Sequence, residues 1–278
     1  MVGAALVAFT GTLAACFADL ASLSAGGPLE PDADPGPDAR VDTGAGPADA
    51  APDADGGDGM DPQTTFCASA GPHKLCEDYD TTVDAGFDLF ATHGGGSATR
   101  DLGAFASPPA SLAATTPAVA PDGGEAWYFP LLSIPKTAKH VHVEAKVQAC
   151  SSAGEYVFMS VNSTAAADAY GAIDIGVQRT ATGSETYMTV KHDAYSKTFS
   201  LGPALPSTRF VRLVLDTDLD KTSGTVKLSI DGTVVVDAKN LPTDQATTVT
   251  GRAAWAGLYA FEAPACTMHV DDVLIDFQ

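Results

Sequence analysis

The chain is poor in positive charge. Its 278 residues carry 15 Lys and Arg against 35 Asp and Glu, a formal charge of −20. No basic stripe exists to displace counterions, so a phosphate-backbone binder is excluded and no nucleic-acid partner is expected. Long apolar runs are also missing: none reaches the roughly 18–20 residues of a spanning helix, which excludes a bundle of membrane helices. Extended helical periodicity is absent. So are several chemical signatures, since no GxSxG surrounds a Ser, no HExxH occurs, and no Gly-rich phosphate loop leads into a helix. Cysteines number 5 and include no paired CxxC, which argues against zinc. Hydrophobic residues make up 45%, an ordinary globular share, while 27 Gly and 18 Pro indicate that part of the chain does not pack.

The N-terminal stretch from Val2 to Ala15 is apolar or small apart from Thr10 and Thr12, and it ends in Leu13-Ala14-Ala15-Cys16. That tetrapeptide resembles the bacterial lipobox, where small residues admit the peptidase and the Cys thiol receives the lipid. The resemblance implies that residues 1–16 are a lipoprotein signal peptide with Cys16 acylated, and that the only membrane contact is through this lipid. An ordinary secretory signal with an incidental Cys is the other reading. Signal peptides open on positive charge, and the first basic residue here is Arg40, so the translation start is expected upstream.

Residues 17–63 change character. From Ala25 to Gln63 the chain holds 7 Pro, 8 Gly and 9 Asp, with Glu30 and Arg40 as the other charges. Such a segment cannot bury enough surface to offset the entropy of ordering it, so a disordered linker is expected. Proline and like-charge repulsion bias it toward extension, with a reach of roughly 130 Å at about 3.3–3.6 Å per residue.

Residues 64–278 alternate with period 2. In His140-Val141-His142-Val143-Glu144-Ala145-Lys146-Val147-Gln148-Ala149 every even residue is polar and every odd one apolar, the pattern of a half-buried strand. Strands are likewise expected at Ala172–Gln178, Thr186–His192, Phe210–Leu215, Thr225–Ile230, Ala253–Tyr259 and Met268–Phe277. Asp231-Gly232 between Ile230 and Thr233-Val234-Val235-Val236 is the sharpest hairpin signal. The region from Ala91 to Gly124, with Gly94-Gly95-Gly96 and Pro108-Pro109, is expected as loops between short early strands. Alternation alone predicts an all-β antiparallel sandwich or barrel. The run Thr225 to Thr233, followed by His269-Val270-Asp271-Asp272-Val273-Leu274-Ile275-Asp276, resembles the concanavalin A-like lectin/glucanase jelly rolls, in particular their laminin-G-like branch. The resemblance implies a two-sheet jelly roll over about Phe66 to Gln278.

Besides Cys16, four cysteines allow three connectivities. The favoured one joins Cys67 to Cys76 around Gly71-Pro72, and Cys150 to Cys266, which in a jelly roll could lie on neighbouring strands. Both bridges imply an oxidising compartment.

Catalytic signals are weak. Retaining glucanases of the resembled superfamily carry Glu, Asp and Glu on alternate strand positions, because nucleophile and acid must stand about 5–5.5 Å apart. Here Asp174 matches the middle position, while Ala172 and Gly176 occupy the other two. Asp216, Asp218 and Asp220 form a DxDxD, but Lys221 and Lys227 stand where an EF-hand needs Gly and Glu. Only a looser calcium site in that turn remains, and no other cofactor is expected. His140 and His142 share a strand face with Glu144, as a polar row that could act as a base or hold a metal, or simply meet solvent. Of the aromatics, Trp127 and Trp255 are expected in the core and Tyr187 on a polar face beside Thr189 and Lys191.

The expected protein is an acyl-anchored envelope lipoprotein facing the periplasm or the exterior, whose sandwich recognises a polysaccharide or another surface component without catalysis. The expected binding face carries His142, Glu144, Lys146, Asp174, Gln178, Tyr187 and Lys191. A carbohydrate-active hydrolase or lyase of the same fold, and a structural envelope protein without a small ligand, are the alternatives.

Overall fold

In the computed structural model the described residues are 65–278, apart from 83–85, 121–123, 152–153, 166–169, 182, 193 and 246–247. The expected signal peptide, Cys16 and the linker to residue 63 lie outside the described residues. A single helical turn, α1 (Phe66–Ala70), comes first, capped by the Thr65 hydroxyl, which accepts from the Ala68 amide at 3.3 Å. Next are β1 (Leu75–Glu77), β2 (Leu89–His93), β3 (Ser97–Asp101), β4 (Ser111–Thr116) and β5 (Ala126–Ser133). The middle of the chain forms β6 (His140–Gln148), β7 (Glu155–Ala165), β8 (Tyr170–Thr180), β9 (Gly183–His192) and β10 (Tyr195–Pro203). The last strands are β11 (Val211–Asp218), β12 (Gly224–Ile230), β13 (Thr233–Leu241), β14 (Val249–Glu262) and β15 (Cys266–Phe277).

These strands build two antiparallel sheets. One runs β13-β12-β11-β6-β15-β4-β3, with β1 also pairing with β15, and the other runs β10-β9-β8-β7-β14-β5-β2. The expected all-β two-sheet sandwich is therefore the architecture. Period-2 alternation creates it. Val141, Val143, Ala145 and Val147 of β6 meet Ile173, Ile175 and Val177 of β8, Met188 and Val190 of β9, and Leu213 and Leu215 of β11 in one core between the sheets. Each buried Val, Leu, Ile or Met side chain contributes about 1.5–3 kcal/mol relative to exposure. At the β12–β13 hairpin Asp231 and Gly232 take φ of 48° and 78°, with Ile230 paired to Thr233, as a type I′ turn requires.

The segment 91–124 holds more regular structure than expected. It contains β3 and β4, and β4 is buried on both faces over Ser111–Ala114, which removes the alternation that would reveal it. Strand β7 hides for the same reason, because Tyr156 to Ser163 is buried throughout.

Two disulfides occur, Cys67–Cys76 and Cys150–Cys266, each with Cα atoms 5.6 Å apart. The first ties α1 to β1. The second ties the residues just after β6 to the start of β15, two strands that pair directly. The Asp271-Asp272 step of β15 is a bulge, with Asp272 at φ 50°. Asp271 accepts from the Ala106 and Ser107 amides at 2.8 and 3.0 Å, and burial pushes its carboxyl up to about 7. Here the sequence step that carries the jelly-roll resemblance pins a long loop onto the sheet.

Candidate functional site

The seven residues expected on one polar face occupy two faces that point in opposite directions. His142, Glu144 and Lys146 belong to β6 in the first sheet, whereas Asp174 and Gln178 of β8 and Tyr187 and Lys191 of β9 belong to the second. Both sheets turn their apolar residues to the shared core, so their polar residues must leave on opposite outer faces. Alternation defines the polar side of each strand but not the sheet that each strand joins.

On the first outer face the charges are matched. Glu144 takes a two-pronged contact from Arg212, at 2.5 Å from Nε and 2.6 Å from Nη2. His142 Nδ1 meets Asp216 at 2.7 Å, His140 Nδ1 meets Asp218 at 2.9 Å, and Lys146 Nζ meets Asp272 at 2.5 Å. Asp220 accepts from the Thr222 and Ser223 amides, both at 2.8 Å, which hold its carboxyl down at about 2. The three acids of the DxDxD thus serve three separate partners. Among the described residues no group of three His, Cys, Asp or Glu is placed to hold a metal ion. Lys146 and Gln148 also border an open groove of about 600 Å³ with Phe105, Arg209 and Phe210, and Arg209 is paired with Asp231 at 2.8 Å.

The second outer face is organised differently. The pairing register aligns Leu131, Trp255, Ser160, Asp174, Thr189 and Thr198 in one row across β5, β14, β7, β8, β9 and β10. A parallel row holds His93, Trp127, Tyr259, Val157, Gly176, Tyr187 and Ser200. Aromatic rings stack along these rows: His93 on Trp127 at 4.3 Å, Trp127 on Tyr259 at 4.9 Å, and Phe129 on Trp255 at 4.3 Å. Trp127 and Trp255 are buried, as expected, but on this face and not between the sheets. Tyr187 is half-buried and packs against the edge of the cluster. Gly176 makes room for it, because a methyl there would sit 2.3 Å from the Tyr156 carbonyl oxygen and 3.1 Å from the Tyr187 ring.

Asp174 stands beside this edge. The Ser160 hydroxyl donates to its Oδ1 at 2.7 Å. Burial nevertheless pushes the carboxyl up to about 6, against the opposing effects of Ser160 and the Lys191 charge. The phenol of Tyr187 lies well above its ordinary range, through burial first and then the charges of Asp174 and Glu155. Tyr170 is raised by burial in the same way, with Asp174 adding and the side chains of Ser160 and Asn162 opposing. Gln178 Nε2 donates to Glu185 at 2.6 Å, Ser200 donates to the same carboxylate at 2.7 Å, and Tyr259 donates to Glu125 at 2.7 Å. The indole Nε1 of Trp255, a residue only 3% exposed, has no hydrogen-bond partner. A buried donor left so costs about 1–3 kcal/mol.

Sequence reasoning found Asp174, Gln178, Tyr187 and Lys191 of this face but missed Ser160, Asn162 and Glu155 on β7. No alternation marks this strand, since Glu155 and Val157 share one face and the bulge between Val157 and Met159 shifts the phase before Ser160. Ala172 and Gly176, two residues either side of Asp174, supply no carboxylate, so this strand lacks the alternating acids of a retaining glycosidase. What the face can do is stack on an apolar ring and accept hydroxyl protons at Asp174.

No protein-family model matches the chain, and no curated protein matches it by sequence. Solved structures do resemble it. An endo-β-1,4-glucuronan lyase from the fungus Trichoderma reesei superposes with a TM-score of 0.57 at 11% identity, covering 74% of this chain and 96% of that one. The cellulose induced protein Cip1 superposes with a TM-score of 0.51 at 15% identity, covering 72% and 96%. At these identities the likeness is one of fold, and the fold is the concanavalin A-like jelly roll.

Proposed function

We propose that this domain binds a polysaccharide or another surface saccharide, without catalysis, on the outer face of the β10–β2 sheet. One observation carries the reading: the half-buried ring of Tyr187 packs against the edge of the stacked aromatic cluster, next to the half-buried carboxyl of Asp174. A sugar presents an apolar C–H face to such a ring and hydroxyls to such a carboxylate. The polysaccharide lyase among the fold neighbours fits this reading and does not establish it. The absence of a second acid two positions from Asp174 favours binding over hydrolysis. The same reading keeps the domain outside the cytoplasm, held to a membrane by an acylated Cys16 through the acidic linker; the two disulfides support export.

The test is a glycan array probed with residues 64–278 as wild type and as Asp174→Ala. Binding that falls at least about tenfold in the variant, or about 1.4 kcal/mol, supports the proposal. Silence of the wild type toward every glycan defeats it.

A further inference from the structure

We infer that the ligand of this face is an uncharged glycan, one without uronate or sulfate groups. The inference rests on the saccharide reading above and narrows it. Strand alternation and hydrogen bonding bring four carboxylates to the one face: Asp174 and Glu185 next to Tyr187, Glu155 close enough to raise the Tyr187 phenol, and Glu125 on the Tyr259 hydroxyl. Cations do not balance them. Of the Lys and Arg on these seven strands among the described residues, Lys191 is aligned with the face, opposite Ala172. Lys197 pairs with Val190, whose side chain is in the core, and Arg179 continues the inward alternation of Ile173, Ile175 and Val177. Arg252 is buried and occupied by Asp244 and by the carbonyls of Lys136 and Ala138.

An anionic sugar unit seated on Tyr187 would therefore place its charge among like charges in a partly desolvated site, where repulsion is poorly screened. A neutral sugar meets no such barrier. Its hydroxyls can donate to Asp174, and its apolar face can stack on the Tyr187 ring. The fold neighbour acts on a glucuronan by its name, so charge distribution here points away from what the fold likeness alone would indicate.

An array of neutral glycans and their uronate or sulfated counterparts, matched in linkage and length, tests this. Neutral glycans are expected to bind with affinities that change less than about twofold as salt rises, and charged counterparts at least about tenfold more weakly at low salt. A charged counterpart that binds as tightly as its neutral partner, or tighter, overturns the inference while leaving saccharide recognition standing. Silence toward all glycans removes the saccharide reading itself. Tyr187→Ala, checked for an unchanged thermal transition, is expected to abolish the neutral signal. If that variant does not fold, Thr198→Trp obstructs the same face from the edge strand. A neutral signal that survives whichever variant folds places binding elsewhere and overturns the inference.

Discussion

Replacing Asp174 by Asn isolates the energy held in one half-buried carboxyl. The native carboxyl titrates at about 6 against an ordinary 3.8, with burial the leading cause. The folded state therefore holds this proton more tightly than the unfolded chain does. Below about pH 3.8 both states are protonated and the group carries no penalty. Between about pH 4 and 6 the unfolded chain ionises first, so stability falls as pH rises, and above about pH 6 the penalty is constant. At roughly 1.4 kcal/mol per pH unit the full penalty is about 3 kcal/mol. Asn keeps the acceptor that Ser160 uses at 2.7 Å, so the variant should lose little else. Urea unfolding of both proteins from pH 4 to pH 8 should show Asp174→Asn more stable by about 2–3 kcal/mol at pH 7, with the difference vanishing near pH 4. Glycan binding should fall in the same variant, because the neutral amide accepts a sugar hydroxyl less strongly than a carboxylate does. A stability difference that does not vary with pH, or a variant less stable at pH 7, refutes the account of Asp174 as a strained carboxyl kept for binding.

Two further outcomes follow from the covalent organisation. With its cysteines 116 positions apart in sequence, Cys150–Cys266 should contribute about 4–5 kcal/mol by loop entropy, and Cys67–Cys76, 9 positions apart, about 2–3 kcal/mol. Paired Cys→Ser variants of each bridge, compared by urea midpoint, should rank in that order, and the reverse order would show that chain entropy does not govern them. In a bacterial host, Cys16→Ser should release the protein from the membrane fraction and remove the acyl mass from the mature N-terminus; an unchanged membrane fraction counts against the lipid anchor.

The strands with one wet face could be found from their residues, and those with none could not. β6, β8, β9, β11 and β12 announce themselves because apolar and polar positions alternate, and Asp231-Gly232 fixes the hairpin between β12 and β13. Ser111 to Ala114 of β4 and Tyr156 to Ser163 of β7 are buried on both sides, so nothing marks their period. The candidate site suffers twice from this. β7 supplies Ser160 and Glu155, and pairing β7 with both β8 and β14 is what brings Trp255 within a row of Asp174. These contacts join residues almost a hundred positions apart, and no local pattern encodes them. The grouping of His142, Glu144 and Lys146 with Asp174 and Tyr187 fails for a related reason. Alternation gives each strand its polar side, but sheet membership depends on long crossovers that place β6 beside β11 and β15.

The two outer faces of the sandwich make the strongest case for where function resides. On the β6 face the polar groups answer one another: Glu144 is gripped by Arg212, His142 by Asp216, and Lys146 by Asp272. Such a ladder of cross-strand partners is what a solvated sheet needs for stability, and it offers an incoming ligand little that is unsatisfied. The β8–β9 face instead retains a carboxyl displaced upward by about 2 pH units, a buried indole donor without a partner, and two rows of stacked rings in the outward side of the sheet. The raised carboxyl lowers stability and the indole leaves a donor unused, and neither is required by the core between the sheets. A fold that pairs the charges of its opposite face, and here keeps a raised carboxyl beside a half-buried tyrosine, is best explained by a ligand that uses that carboxyl.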